Sequence, residues 1–127
     1  MAYVLNRDGE ILRLEFSGTV TVQDLVQGAA DLAEFEDASA IAPNRIADLR
    51  GVERLALDFA GILSFTEVRR QKRFRNQFKT AIIAASPVHY GFARMFQTLN
   101  DHPQIAIAIF ADDAEALNWV RSSQATP

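Results

Sequence analysis

Apolar and polar residues along the 127-residue chain change their spacing several times, and each change marks an element. Residues 11–17 alternate, with Leu12, Leu14 and Phe16 on one side and Arg13 and Glu15 on the other, as in a strand buried on one face. Residues 3–6 form a shorter strand before it. Between the two, Arg7-Asp8-Gly9-Glu10 contains Asp-Gly, the strongest two-residue hairpin signal, so the chain is expected to open with an antiparallel hairpin near a sheet edge. Gly18 and Thr19 break the run. Thr21 with Asp24 resembles a capping box, and Val22, Leu25, Val26, Ala29, Leu32 and Ala33 then recur at helical offsets, predicting a core-facing helix to about Phe35.

Residues 36–44, with Pro43 near the end, read as a loop leading to a strand at 45–49. Arg50-Gly51 is a breaker pair. From Leu55 the apolar residues Leu55, Phe59, Ile62 and Leu63 fall at helical spacing, predicting a second helix that runs to about Asn76. In residues 79–85 the run Ala81-Ile82-Ile83-Ala84-Ala85 does not alternate, which marks a strand covered on both faces and places it at the centre of the sheet. Ser86-Pro87 is a capping residue followed by proline at the first helical position; it starts a third helix, to about Asn100, whose inner stripe is Val88, Phe92, Met95, Phe96 and Leu99. After His102-Pro103, residues 105–110 make the last strand. A fourth helix begins at Asp112, with Glu115 in capping-box position, and buries Leu117, Trp119 and Val120. Residues 122–127 are expected to fray, leaving residues 1–121 as a single domain. The order ββαβαβαβα describes an α/β domain with a mixed, mostly parallel five-stranded sheet, four helices and right-handed crossovers.

Composition fits one domain that buries its own core: 49% of the residues are hydrophobic. With no cysteine there is neither disulfide nor thiolate chemistry, which suits a cytoplasmic chain. The N-terminus lacks a basic segment followed by an apolar one, and no apolar run approaches a membrane span, so the sequence reads as soluble and unprocessed. Net charge is −3, but residues 69–94 carry seven basic side chains (Arg69, Arg70, Lys72, Arg73, Arg75, Lys79 and Arg94) and no acidic one. On a helix reaching Asn76, Arg69, Lys72 and Arg73 form a stripe compatible with phosphate, an anionic lipid surface or an acidic partner. A solvated helix end favoured by the helix dipole explains the same residues. Overall acidity and the lack of interleaved aromatic platforms argue against nucleic-acid binding and leave membrane contact peripheral at most.

The element order, with Ile46-Ala-Asp-Leu-Arg-Gly-Val and Leu57-Asp58-Phe59-Ala60-Gly61-Ile62, resembles the STAS domain of sulphate transporters and anti-sigma-factor antagonists over nearly the whole chain. Tyr90-Gly91-Phe92-Ala93-Arg94-Met95-Phe96-Gln97 and Ala116-Leu117-Asn118-Trp119 are similar to the bacterial SpoIIAA-like offshoot, small cytoplasmic proteins of unsettled function. The resemblance implies that helix two starts where anti-sigma antagonists carry Asp-Ser-Ser-Gly with a phosphorylated second serine. Laying that motif on Asp58-Phe59-Ala60-Gly61 puts Ala60 at the phosphorylated position, where no oxygen can receive phosphate.

In open α/β sheets ligands collect beyond the carboxyl ends of the strands, which here would gather Arg50, Asp58, Phe59 and Ala60 from one crossover and Ser86, His89, Tyr90 and Arg94 from the next. Two capped helix ends in water are the plainer reading. Ser86 with His89 reads more simply as a cap and its neighbour than as nucleophile and base, and neither histidine has acidic residues at metal-ligand spacing; no catalytic residue, metal or cofactor is expected. Gly91 is expected to let helix three approach another element closely. The leading expectation is a non-catalytic interaction module binding a protein partner or small anion at this edge. The alternative is a small-molecule or lipid binder with an apolar pocket between the sheet and helices two and three. Phe65, Phe74, Phe78, Phe92 and Phe96 would form its walls, and the basic stripe would meet an anionic head group. A homodimer would form through the hairpin edge or helix three.

Overall fold

The computed structural model describes residues 2–122. The strands are β1 (Tyr3–Asp8), β2 (Ile11–Thr21), β3 (Arg45–Ala56), β4 (Phe78–Ile83) and β5 (Ile105–Phe110); the helices are α1 (Val22–Ala38), α2 (Phe59–Gln71), α3 (Pro87–Leu99) and α4 (Asp113–Arg121). One sheet runs β1-β2-β3-β4-β5, with β1 antiparallel to β2 and every other pair parallel. Because each crossover steps to the next strand in the same direction, right-handed connections put α1, α2 and α3 on one face. Leu12, Leu14, Phe16, Leu49 and Ile82 of the sheet pack there with Leu25, Leu32 and Ala93 of the helices. The opposite face is left to α4, whose Ala116, Trp119 and Val120 cover Ile46, Ala81, Ile83 and Ala108.

The hairpin, the last strand and the helix starts are where local signals place them. Thr21 and Asp24 make a complete capping box, Ser86 accepts from the His89 backbone N–H with Pro87 behind it, and Asp112 accepts from Glu115 N–H. Several boundaries differ. β2 continues through Gly18 to Thr21, and β3 continues through Arg50-Gly51 to Ala56, so neither glycine ends its strand. The pairing of β2 with β3 shifts register between Glu15 and Ser17 and again between Gly18 and Thr19; Gly18 takes the left-handed φ of +66° that this irregular ladder requires. The two strands thus extend as a paired arm beyond the end of β4, and the centre of the sheet is β3 rather than β4.

Helix α1 runs three residues past Phe35, which makes Glu36 helical and buried, and Val26 of its expected inner stripe is exposed. Helix α2 starts after Asp58 and stops at Gln71, five residues short of Asn76. The segment after it is held by side chains that bond backbone as a strand would. Asn76 pairs with both backbone groups of Ala42, and Gln104 with both of Phe74. Val88 is 70% exposed and Ala93 takes the inner place on α3. Lys79, expected in a basic block, is buried and donates from Nζ to the carbonyls of Trp119 and Ser122, closing the C-terminal end of α4. Ser122 caps α4; the rest of the tail expected to fray lies outside the described residues.

Candidate functional site

At the carboxyl ends of the strands, Arg50, Asp58, Ser86, His89 and Arg94 each make a hydrogen bond within the protein. Arg50 forks onto Asp48, with Nε 3.0 Å from Oδ1 and one terminal nitrogen 2.8 Å from Oδ2. Burial raises the Asp48 carboxyl, but the Arg50 hydrogen bonds outweigh it and hold the pKa below the usual range. Asp58 Oδ1 accepts from Gly61 N–H at 2.6 Å and caps α2; a Cβ on Gly61 would lie 2.7 Å from Val22, so α1 and α2 touch through this residue. His89 Nε2 donates to the Val52 carbonyl at 2.9 Å, tying the start of α3 to the β3 arm, while its buried Nδ1 has no partner. Arg94 turns to Gln97 of its own helix. Phe59, Ala60 and Tyr90 are exposed. Gly91 faces open space, with no atom within 4 Å of a Cβ built there, so it mediates no close approach.

The amino end of the sheet is built differently. Glu36, from the last turn of α1, is buried and receives three cations from three separate places. Arg45 at the head of β3 binds its Oε2 at 2.5 Å, Lys72 at the end of α2 binds Oε1 at 2.8 Å, and Arg69 stands 3.7 Å from Oε2. The helical stripe expected of Arg69, Lys72 and Arg73 therefore does not exist as such. With the helix ending at Gln71, Lys72 becomes its cap, Arg69 turns inward and only Arg73 remains in water. Phe78 lies under the Arg45 guanidinium at 4.0 Å, and Phe74 under Arg69 and Lys72 at 5.6 and 5.4 Å.

Burial raises the Glu36 carboxyl, and Arg45, Lys72 and Arg69 together overcome it, so its pKa lies below the ordinary value. Burial also pushes Arg45 down to about 10, against the pull of Glu36. Both Glu36 oxygens are taken, and Arg45 Nε and the Asn100 amide oxygen are buried without a partner. Sequence reasoning missed Glu36, Arg45 and Asn100. The one available signal was spacing: Leu25, Leu32 and Glu36 fall on one helical face, so extending α1 by one turn puts a carboxylate on its buried stripe.

Against this cluster lies a cavity of about 100 Å³ between the sheet and α1, α2 and α3. Leu14, Phe16, Ile82, Phe65, Phe92 and Phe96 supply apolar walls, and Arg45, Arg69, Thr80 and Asn100 are its polar lining. Phe74 and Phe78, expected as walls, pack instead with Ala42 and Ile105 beneath the cations. A groove between α1 and α2, floored by Val22, Val26, Ala33 and Val68, shares Ala29, Phe65 and Arg69 with the cavity, so those three residues separate the interior from the surface. Among the described residues no group of three or more acidic or histidine side chains is placed to hold a metal ion, and no helix is long and apolar enough to cross a membrane.

An uncharacterized protein of the DUF3478 family from Shewanella loihica PV-4, described as having a SpoIIAA-like fold, superposes on this chain with a TM-score of 0.61. The match covers 94% of this chain and 92% of that one, at 20% sequence identity. The fold is SpoIIAA-like. The resemblance seen in the element order thus holds at the level of the fold. A structure described as Mglu also matches, with a TM-score of 0.39 over 20% of its length, too low to carry an argument. No protein-family model and no curated protein matches the sequence.

Proposed function

We propose that this SpoIIAA-like chain is a non-catalytic binding module whose ligand is a small, largely apolar molecule bearing negative charge, held in the cavity beneath α1, α2 and α3. One observation carries the reading: Arg45 and Arg69, which share the buried Glu36 carboxylate with Lys72, line a mostly apolar cavity. A protein that needed only structural cohesion there would gain as much from an apolar cluster, because burying charge carries a desolvation penalty that ion pairing often does not exceed. Ala60 offers no hydroxyl, so the serine switch of anti-sigma antagonists does not operate at that position. Native mass spectrometry of protein isolated from its own cells tests the reading. A bound organic anion that is released on denaturation is expected, and protein carrying no small molecule after gentle isolation contradicts it.

A second reading, a protein partner at the carboxyl ends of the strands, is favoured by the exposed apolar side chains Phe59, Leu63, Val88 and Tyr90 around the starts of α2 and α3. Its test is Phe59→Ser with Tyr90→Ser, which should abolish co-purification of a specific partner while leaving small-molecule binding intact.

A further inference from the structure

Resting on the cavity reading above, we infer that the ligand is a small monocarboxylic acid with a compact apolar body, whose carboxylate is received by the Arg69 guanidinium and the idle Nε–H of Arg45.

Charge balance comes first. Arg45, Arg69 and Lys72 face Glu36, and Lys72 also stands 3.8 Å from Asp37. Three cations therefore meet two carboxylates, and one further negative charge makes the group neutral. A dianion overshoots, and a neutral ligand leaves the excess in place. The location of the deficit follows from hydrogen bonds. Arg45 and Lys72 each bond Glu36 directly, whereas Arg69 is an ion pair at 3.7 Å, beyond hydrogen-bond length, although its side chain is only 11% exposed. The Arg69 guanidinium has no acceptor at bonding distance and keeps some contact with solvent, and the planar fork it presents fits a carboxylate through two parallel bonds. Arg45 adds one unpartnered N–H; the unpartnered oxygen of Asn100, 3% exposed, is an acceptor and gives a carboxylate no bond. All three residues line the cavity.

Size and wall chemistry set the rest of the molecule. An engineered apolar cavity of about 150 Å³ takes benzene, so about 100 Å³ holds roughly four heavy atoms, and a longer body reaches past Ala29, Phe65 and Arg69 into the groove. Phe65, Phe92 and Phe96 offer that body ring faces and edges.

The experiment is calorimetric titration at neutral pH and low salt with benzoate and hexanoate, with benzyl alcohol and 1-hexanol as neutral bodies, and with phenyl phosphate. The acids are expected to bind about tenfold or more tightly than the alcohols, the gain typical of hydrogen bonds to a charged group. Arg69→Met should bring the acids down to the level of the alcohols while leaving the alcohols unchanged. Should that variant not fold, as judged by its amide spectrum, Arg69→Lys keeps the charge without the fork and should weaken the acids several-fold relative to the alcohols. Alcohols binding as tightly as the acids would overturn the carboxylate assignment and leave the cavity reading standing. Phenyl phosphate binding more tightly than benzoate would overturn the monoanion assignment in the same way. Binding by none of the five probes would overturn this inference and the cavity reading together.

Discussion

The two ends of the sheet contain similar residue types and use them in opposite ways. At the carboxyl end, Asp48 answers Arg50, Asp58 and Ser86 answer their own helices, and His89 answers the β3 arm through Nε2, which leaves its buried acceptor Nδ1 unpartnered. At the amino end, one carboxylate serves three cations, two buried polar atoms are unpartnered, and an apolar cavity opens beside them. Helix N-termini make the carboxyl end the customary place for ligands in such sheets. In this molecule the caps take one N–H each at the starts of α2 and α3, and the excess of positive charge lies at the other end. A position rule states where open α/β sheets tend to bind; the tally of donors and acceptors states where this one has capacity to spare.

The largest expected effect separates the two ends directly. Glu36→Gln leaves buried Arg45 without its counter-charge and should destabilise the fold by about 3–5 kcal/mol in urea denaturation, as for other buried pairs broken on one side. Asp48→Asn, whose partner Arg50 is 44% exposed, should lose only about 1 kcal/mol. Equal losses would erase the contrast. Next, Ala47→Val, on the cavity floor between Leu14 and Ile82, should raise stability by about 0.5–2 kcal/mol while abolishing hexanoate binding. Unchanged binding would move the ligand elsewhere. Asp58→Ala and Ser86→Ala should each cost about 1 kcal/mol through loss of a helix cap, with no change in hexanoate affinity.

Acid provides a fourth comparison. Glu36 has a folded-state pKa below its ordinary 4.5, so its contribution is fully present above that value and is lost as pH falls through the lower folded value. The urea midpoint of the wild type should therefore fall steadily on acidification below about pH 4.5. In Glu36→Gln the same curve should be flatter, the remaining slope coming from Asp48 and other lowered carboxyls such as Asp24. Superimposable slopes would mean that Glu36 is not the group being protected.

How legible each part was depends on the range of the interaction behind it. The hairpin turn, the caps at Thr21, Ser86 and Asp112, and β5 are set by neighbours within a few residues, and each stands where its pattern predicts. Gly18 and Gly51 punctuate the sequence like turns, yet both lie in the irregular parallel ladder of β2 and β3, and only pairing across α1 reveals that the strands continue. The end of α2 was hidden for a related reason. Residues 72–76 keep helical spacing of basic side chains, but Asn76 and Phe74 are claimed by Ala42 and Gln104, distant partners that unwind the last turn. Of the cavity, the aromatic residues Phe65, Phe92 and Phe96 and the cation Arg69 were readable; Arg45, Asn100 and the Glu36 carboxylate behind them were not, because they come from separate parts of the chain that meet only in the fold.

The most direct measurement is an amide chemical-shift map of the protein titrated with hexanoate. Shifts should concentrate on Ala29, Arg45, Arg69 and Asn100 at the amino end of the sheet, and leave Asp58, Phe59, Ser86 and His89 in place. A saturable response centred on Asp58, Ser86 and His89, with Arg69 and Asn100 unmoved, would contradict the account.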